Sequence, residues 1–167
     1  MITGGHLGPG VGVIPELLRK NWDIYFFGRK HATEGSTALS FEYQTIAEEM
    51  GIKFYDINPG RVQKKFSKYT IPSLLRIPVS FIKTKILLFK IKPDVILTFG
   101  SYVGVPVAVM GWFLRIPVIL HIQTIMPGRA DKIIARFAKK IAVSWVETIE
   151  YLPKDKTTLT GDPVVNF

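Results

Sequence analysis

Short runs of continuous apolar residues, each followed by a stretch of helical periodicity, constrain this 167-residue chain more than any other feature. Such runs fit strands buried on both faces, the situation of a parallel sheet covered by helices on each side. They fall at Asp23–Gly28 (DIYFFG), Lys53–Ile57, Val95–Phe99 (VILTF), Val118–His121 and Lys140–Val143. Helices are predicted over Ser40–Met50, over 71–91, over Gly104–Leu114 and over Ala130–Lys139. Ser40 is placed as an N-cap before a helix that stops at Gly51. Pro72 lies near the start of the second helix and Pro78 marks a kink or break in it. Pro15 falls within a helix that follows the first glycines. The expected fold is therefore α/β, with a Rossmann-like doubly wound parallel sheet. Residues 1–160 form one domain, and Thr160-Gly161-Asp162-Pro163 reads as the exit from it.

Charge then narrows the partners. Lys and Arg number 22 against 13 Asp and Glu, a net +9. Nine of the cations (Arg61, Lys64, Lys65, Lys68, Arg76, Lys83, Lys85, Lys90 and Lys92) lie between Arg61 and Pro93 without one acidic residue. The rest of the chain is balanced. That segment is also rich in Ile, Leu, Val and Phe. Ser73, Arg76, Ser80, Lys83 and Lys90 recur at spacings of 3, 4, 3 and 7, one polar stripe on an otherwise apolar helix. A helix of this kind suits an anionic membrane surface. Leu74, Leu75, Arg76, Phe81, Lys83 and Lys85, with Trp112 from the next helix, are the residues expected at that surface. The alternative is a core-facing helix with a solvated basic edge.

Other classes lack their signatures. Cysteine is absent, which removes disulfide scaffolds, thiolate zinc sites and cysteine nucleophiles. The start of the chain does not read as a signal peptide. Val95–Leu114 is 20 residues without a charge, the length of a membrane span, but Gly100, Gly104, Pro106 and Gly111 divide it into strand, loop and helix. Three histidines lack metal-ligand spacing, so no metal and no cofactor are expected. There is no P-loop, no G-x-S-x-G and no G-x-G-x-x-G. No nucleic-acid reader motif accompanies the cations, so no nucleic-acid partner is expected.

In doubly wound sheets ligands bind outside the carboxyl ends of strands. Three loops there carry candidate groups. The first, Thr3-Gly4-Gly5-His6-Leu7-Gly8-Pro9-Gly10, offers glycines and a helix N-terminus to a phosphate, with His6 beside it as base or donor. The second is Phe99-Gly100-Ser101-Tyr102-Val103-Gly104. The third is His121-Ile122-Gln123-Thr124, followed by Pro127-Gly128. His31 reads as solvated.

The succession TGGHLGP, KPDVILTFGSYVGVPVAVMGWFLRIPVILHIQT, PGRADKIIARFAKKIAVSW and TGDPV resembles the amino-terminal half of MurG-type glycosyltransferases over nearly the whole chain. The resemblance implies one half of a two-domain GT-B enzyme. It implies inverting transfer of N-acetylglucosamine from UDP-N-acetylglucosamine to undecaprenyl-pyrophosphoryl-muramyl-pentapeptide, lipid I to lipid II of peptidoglycan synthesis. The implied place is the cytoplasmic face of the cell membrane, peripherally bound. It further implies that His6 is the candidate catalytic base. Thr3, Gly4, Gly5, Gly8, Gly100, Ser101, Tyr102, His121, Gln123 and Thr124 are the candidate acceptor and pyrophosphate ligands. Residues 161–167 would begin the interdomain link. The donor nucleotide-sugar would be held by a carboxy-terminal domain missing here, so the isolated chain is expected to be inactive. Two departures stand out: the family's HEQN motif has Glu and Asn where this chain has Ile122 and Thr124, and a nearby family Asn is Asp131. Two rival readings are a non-catalytic, membrane-recruiting acceptor subunit of a split glycosyltransferase and a related transferase with another lipid acceptor.

Overall fold

A computed structural model describes residues 1–32, 37–57, 59–60 and 70–163, the side chains of 70–74 excepted. Seven strands form one sheet: β1 (Ile2–Thr3), β2 (Tyr25–Gly28), β3 (Lys53–Asp56), β4 (Ile96–Thr98), β5 (Val118–Ile122), β6 (Lys140–Val143) and β7 (Thr157–Leu159). Their order is β3-β2-β1-β4-β5-β6-β7 and every pairing is parallel. The order reverses between β1 and β4, where Thr3 pairs with Thr98. A doubly wound sheet opens a crevice at that switch point, so the two loops leaving β1 and β4 face each other across it.

Five helical segments cover the faces: α1 (Leu7–Arg19), α2 (Phe41–Tyr43), α3 (Thr70–Ile91), α4 (Ser101–Phe113) and α5 (Arg129–Phe137). One core layer joins Phe27, Leu88, Val107, Leu120, Ile134 and Ile141 beneath α3, α4 and α5. The other joins Ile2, Ile14, Phe26, Ile46 and Phe99 beneath α1 and the segment after α2. The apolar runs of β2, β4, β5 and β6 are thus interior strands, whereas the run at β3 lies at the sheet edge and is only partly buried.

Three local details differ from the sequence expectation. The helix expected over Ser40–Met50 does begin at a Ser40 cap, whose Oγ accepts from Tyr43 N–H at 3.0 Å. Over Gln44–Glu49 it widens into π-helical turns, with Met50 N–H reaching Thr45 C=O at 3.0 Å. Helix α4 starts at Ser101 rather than Gly104, because Gly100 (φ 75°) and Ser101 (φ 67°) turn the chain tightly straight after β4. Tyr102 therefore sits in the first helical turn and not in a loop. Strand β7 was not legible as an apolar run.

Helix α3 contains Pro78 and continues through it. Its polar stripe is divided: Lys83 and Lys90 are exposed, Arg76 is half-buried and Ser80 is buried. Ser80 and Thr84 are buried together with Leu88, while Leu75, Val79, Ile82, Ile86 and Phe89 are 60–68% exposed. The spacing of the outward row, 4, 3, 4 and 3, is one helical face. Ser80 tolerates burial because its Oγ donates to Ile77 C=O at 2.6 Å within the same helix. Of the expected surface residues, Leu75, Lys83, Lys85 and Trp112 are exposed, whereas Arg76 and Phe81 are half-buried. Leu74, Arg61, Lys64, Lys65 and Lys68 lie outside the described side chains. No helix among the described residues is long and apolar enough to cross a membrane.

Candidate functional site

The first two loops meet at the switch point. A Cβ on Gly4 would lie 2.8 Å from Phe99 Cβ, and one on Gly5 would collide with the Ser101 side chain. These glycines thus bring loop against loop. Only Gly8, with open space around it, leaves the start of α1 unobstructed. His6 is the N-cap residue of α1, but no side chain caps the helix there. His6 is exposed.

The side chains and amides of β1 and β4 are largely committed to the fold. Thr3 is fully buried and its Oγ1 donates to Phe27 C=O at 2.8 Å. Gly100 N–H donates to Thr98 Oγ1 at 3.3 Å. Asp131 holds the start of α4: its Oδ1 accepts from Ser101 N–H at 3.0 Å and its Oδ2 from Gly128 N–H at 2.9 Å. A negative charge at two helix starts complements both dipoles.

Between the two loops and the β2–α2 connection lies a cavity of about 360 Å³. Gly5 and Leu7 form one side, Ser101 and Tyr102 another, and Arg29 and Glu42 the third. The Arg29 guanidinium lies 5.5 Å from the centre of the Tyr102 ring, a cation–π distance. Burial pushes the Glu42 carboxyl up to about 7, against the lowering effects of the hydrogen bond from Arg29 N–H and of the Arg29 charge. The sequence reading missed Arg29 and Glu42. Their one signal was the Ser40 cap, which puts Glu42 in the first turn of α2.

The third loop is turned elsewhere. His121 is 5% exposed and packs its ring edge-on against Phe99, centroids 5.8 Å apart. Its Nε2 is 3.1 Å from Gly161 C=O. A carbonyl only accepts, so Nε2 carries the hydrogen of this contact, while the buried Nδ1 has no hydrogen-bond partner. Trp145 Nε1 donates to Gln123 C=O at 2.9 Å, and Thr148 Oγ1 to Thr124 C=O at 3.1 Å. Thr124 Oγ1 donates to Met126 C=O at 3.2 Å. The structure therefore gathers Gly5, Ser101 and Tyr102 around one cavity, ties Gln123 and Thr124 to the segment after β6, and ties His121 to Gly161 beyond β7.

Known proteins place this arrangement. Residues 3–143 match the N-terminal domain of glycosyltransferase family 28. Over 162 residues the chain is 37% identical to a Bacillus cereus protein named UDP-N-acetylglucosamine--N-acetylmuramyl-(pentapeptide) pyrophosphoryl-undecaprenol N-acetylglucosamine transferase 2, covering 97% of this chain and 44% of that protein. It is 33% identical to a Lachnospira eligens transferase of the same description, covering 97% and 43%. Among solved structures, Acinetobacter baumannii MurG superposes with a TM-score of 0.70 at 18% identity, over 96% of this chain and 44% of that one. Neisseria meningitidis UDP-GlcNAc 2-epimerase does so at 0.65 and 16% identity, over 97% and 46%. The chain thus spans less than half the length of the relatives it matches. It belongs to glycosyltransferase family 28, and its fold is the Rossmann-like amino-terminal half of a GT-B enzyme.

Proposed function

We propose that this chain is the acceptor-binding half of an inverting glycosyltransferase. The reaction is transfer of N-acetylglucosamine from UDP-N-acetylglucosamine to undecaprenyl-pyrophosphoryl-muramyl-pentapeptide at the cytoplasmic face of the membrane. The observation that carries the proposal is the pairing, on one sheet-and-helix domain, of a switch-point crevice with an outward apolar row flanked by lysines. A lipid-linked acceptor presents its pyrophosphate and sugar just above the bilayer, so both surfaces are needed together.

Helix α3 would enter the interface with Leu75, Val79, Ile82, Ile86 and Phe89, extended by Trp112 and Phe113, which are 57% and 59% exposed. Lys85 Nζ lies 5.3 Å from the centre of the Phe113 ring, joining the two helices at this surface. Five apolar side chains, each partly buried, contribute about 1–2 kcal/mol apiece. Exposed Lys83, Lys85 and Lys90 add roughly 1 kcal/mol each against anionic lipid. The apolar row is the larger part, so added salt should weaken binding without ending it.

The pyrophosphate would rest on the first-turn amides of α1, which no side chain caps. Gly8 leaves that approach open, while the committed amides at Gly100 and Ser101 make the second loop a wall and not a phosphate cradle. His6 would take the proton from the attacking sugar hydroxyl as it displaces UDP from the anomeric carbon. General-base catalysis of this kind contributes about 10²–10⁴-fold. The nucleotide-sugar would be bound by a second domain. Ile122 and Thr124, in place of a carboxylate and an amide, favour one rival: a recruiting subunit without its own chemistry. Supplying the chain with a separate donor domain and following lipid II formation decides between them. Product formation that His6→Ala reduces at least 100-fold supports the catalytic role. Product formation insensitive to His6→Ala overturns that assignment and favours the recruiting subunit.

A further inference from the structure

The cavity beside the switch point is lined by one carboxyl and one guanidinium, Glu42 and Arg29. Gly28 ends β2 without a side chain, and a Cβ there would lie 2.6 Å from Glu42 Oε2 and 2.7 Å from Phe54 Cζ. The missing side chain makes the seat on which the Glu42 carboxyl rests. Arg29 is then clamped by its backbone from both sides: its N–H donates to Glu42 Oε2 at 3.0 Å, and its C=O accepts from Ser40 Oγ at 2.5 Å. Its side chain is left to run across Tyr102, with one long contact from Nη1 to Ala32 C=O at 3.4 Å. The guanidinium forms no ion pair with Glu42, although both line the same cavity. A fixed carboxyl, a guanidinium on an aromatic ring and a second ring at the mouth, Phe41 at 72% exposure, share one small cavity. Pairing an acceptor with a forked cationic donor, between aromatic faces, fits a ligand that is sugar at one end and anionic at the other.

We infer that this cavity is a subsite for a glycosyl phosphate, in which Glu42 binds a sugar hydroxyl or amide hydrogen and Arg29 binds the phosphate oxygens. The inference rests on the acceptor-binding reading and adds to it the residues that would read the sugar. Arg29 and Glu42 are then specificity residues, with Ser40 and Gly28 as the groups that position them. The high carboxyl value agrees with a group buried and held by a single backbone donor, with room for a further one.

Calorimetric titration of the full chain with N-acetylglucosamine 1-phosphate and with inorganic phosphate tests it. The sugar phosphate is expected to bind about tenfold more tightly than phosphate alone, the range of a hydrogen bond to a charged group. Glu42→Gln keeps an oxygen for Arg29 N–H, and should erase that preference while leaving phosphate binding unchanged. Arg29→Ala should weaken both ligands about tenfold. Equal binding of both ligands by the unaltered chain, or equal loss of both in Glu42→Gln, overturns the subsite. Where Glu42→Gln does not fold, Phe41→Ala decides: its exposed ring is not needed for folding, and a sugar preference unchanged by its removal overturns the inference. A short-chain polyprenyl-pyrophosphoryl N-acetylhexosamine separates this from the larger reading. If it binds no better than the soluble sugar phosphate while the Glu42-dependent preference persists, the lipid-acceptor reading fails and a soluble glycosyl phosphate is the occupant.

Discussion

Helices α3 and α5 pack on the same face of the sheet and obey opposite rules. In α5, Ile134 and Ala135 are buried, and Arg129, Lys132 and Arg136 face water. In α3, Ser80 and Thr84 point inward and five large apolar side chains point out. The first arrangement is what stability alone selects. The second gives up apolar burial on one side and buries the Thr84 hydroxyl without a partner on the other. A face arranged against folding stability marks a surface kept for something outside the chain.

That contrast can be broken by substitution, starting with the largest effect. Ile134→Ala in α5 removes a fully buried side chain and should cost about 2–5 kcal/mol in chemical denaturation. The same truncation at Ile82, 61% exposed, should change stability by no more than about 0.5 kcal/mol. If Ile82→Ala costs as much as Ile134→Ala, the outward row is core after all.

The cavity gives the next effect, and its sign follows from the direction of the Glu42 value. The folded chain holds this proton up to about pH 7, whereas an ordinary glutamate releases it near 4.5. Glu42 therefore supports the fold below about pH 4.5, and that contribution is lost as pH rises through 7. Relative to the parent chain, Glu42→Gln should gain about 3 kcal/mol between pH 4.5 and pH 8 in denaturation curves. A pH-independent difference would show that the carboxyl is not desolvated. A smaller gain, about 1 kcal/mol, is expected from Thr84→Val, which removes the unpartnered hydroxyl at nearly constant shape. Loss of stability in that variant would mean that Thr84 has a partner and that α3 is not internally compromised.

How far the sequence reached follows the same division. Strands β2, β4, β5 and β6 were readable because burial on both faces leaves continuous apolar runs. Strand β7, Thr157–Leu159 at the sheet edge, has one apolar residue in three and no such run. The apolar excess of α3 was readable from composition, but its orientation was not. Ser80, a polar member of the stripe, is buried because it meets its hydrogen-bonding need within its own helix. The glycines of the first loop were expected to admit a ligand, and at Gly4 and Gly5 they admit the neighbouring loop. Arg29 and Glu42 are 13 residues apart and meet only because β2 ends beside the α2 cap. No local pattern announces such a pair.

The exchange at α3 of burial inside for apolar surface outside is tested most directly by co-sedimentation with vesicles containing phosphatidylglycerol. At low salt the chain should pellet with them and remain partly bound when salt is raised. The double variant Ile82→Glu/Ile86→Glu should stay in the supernatant while unfolding at an unchanged temperature. Equal retention of the two proteins, or no retention of the parent chain, would contradict the account.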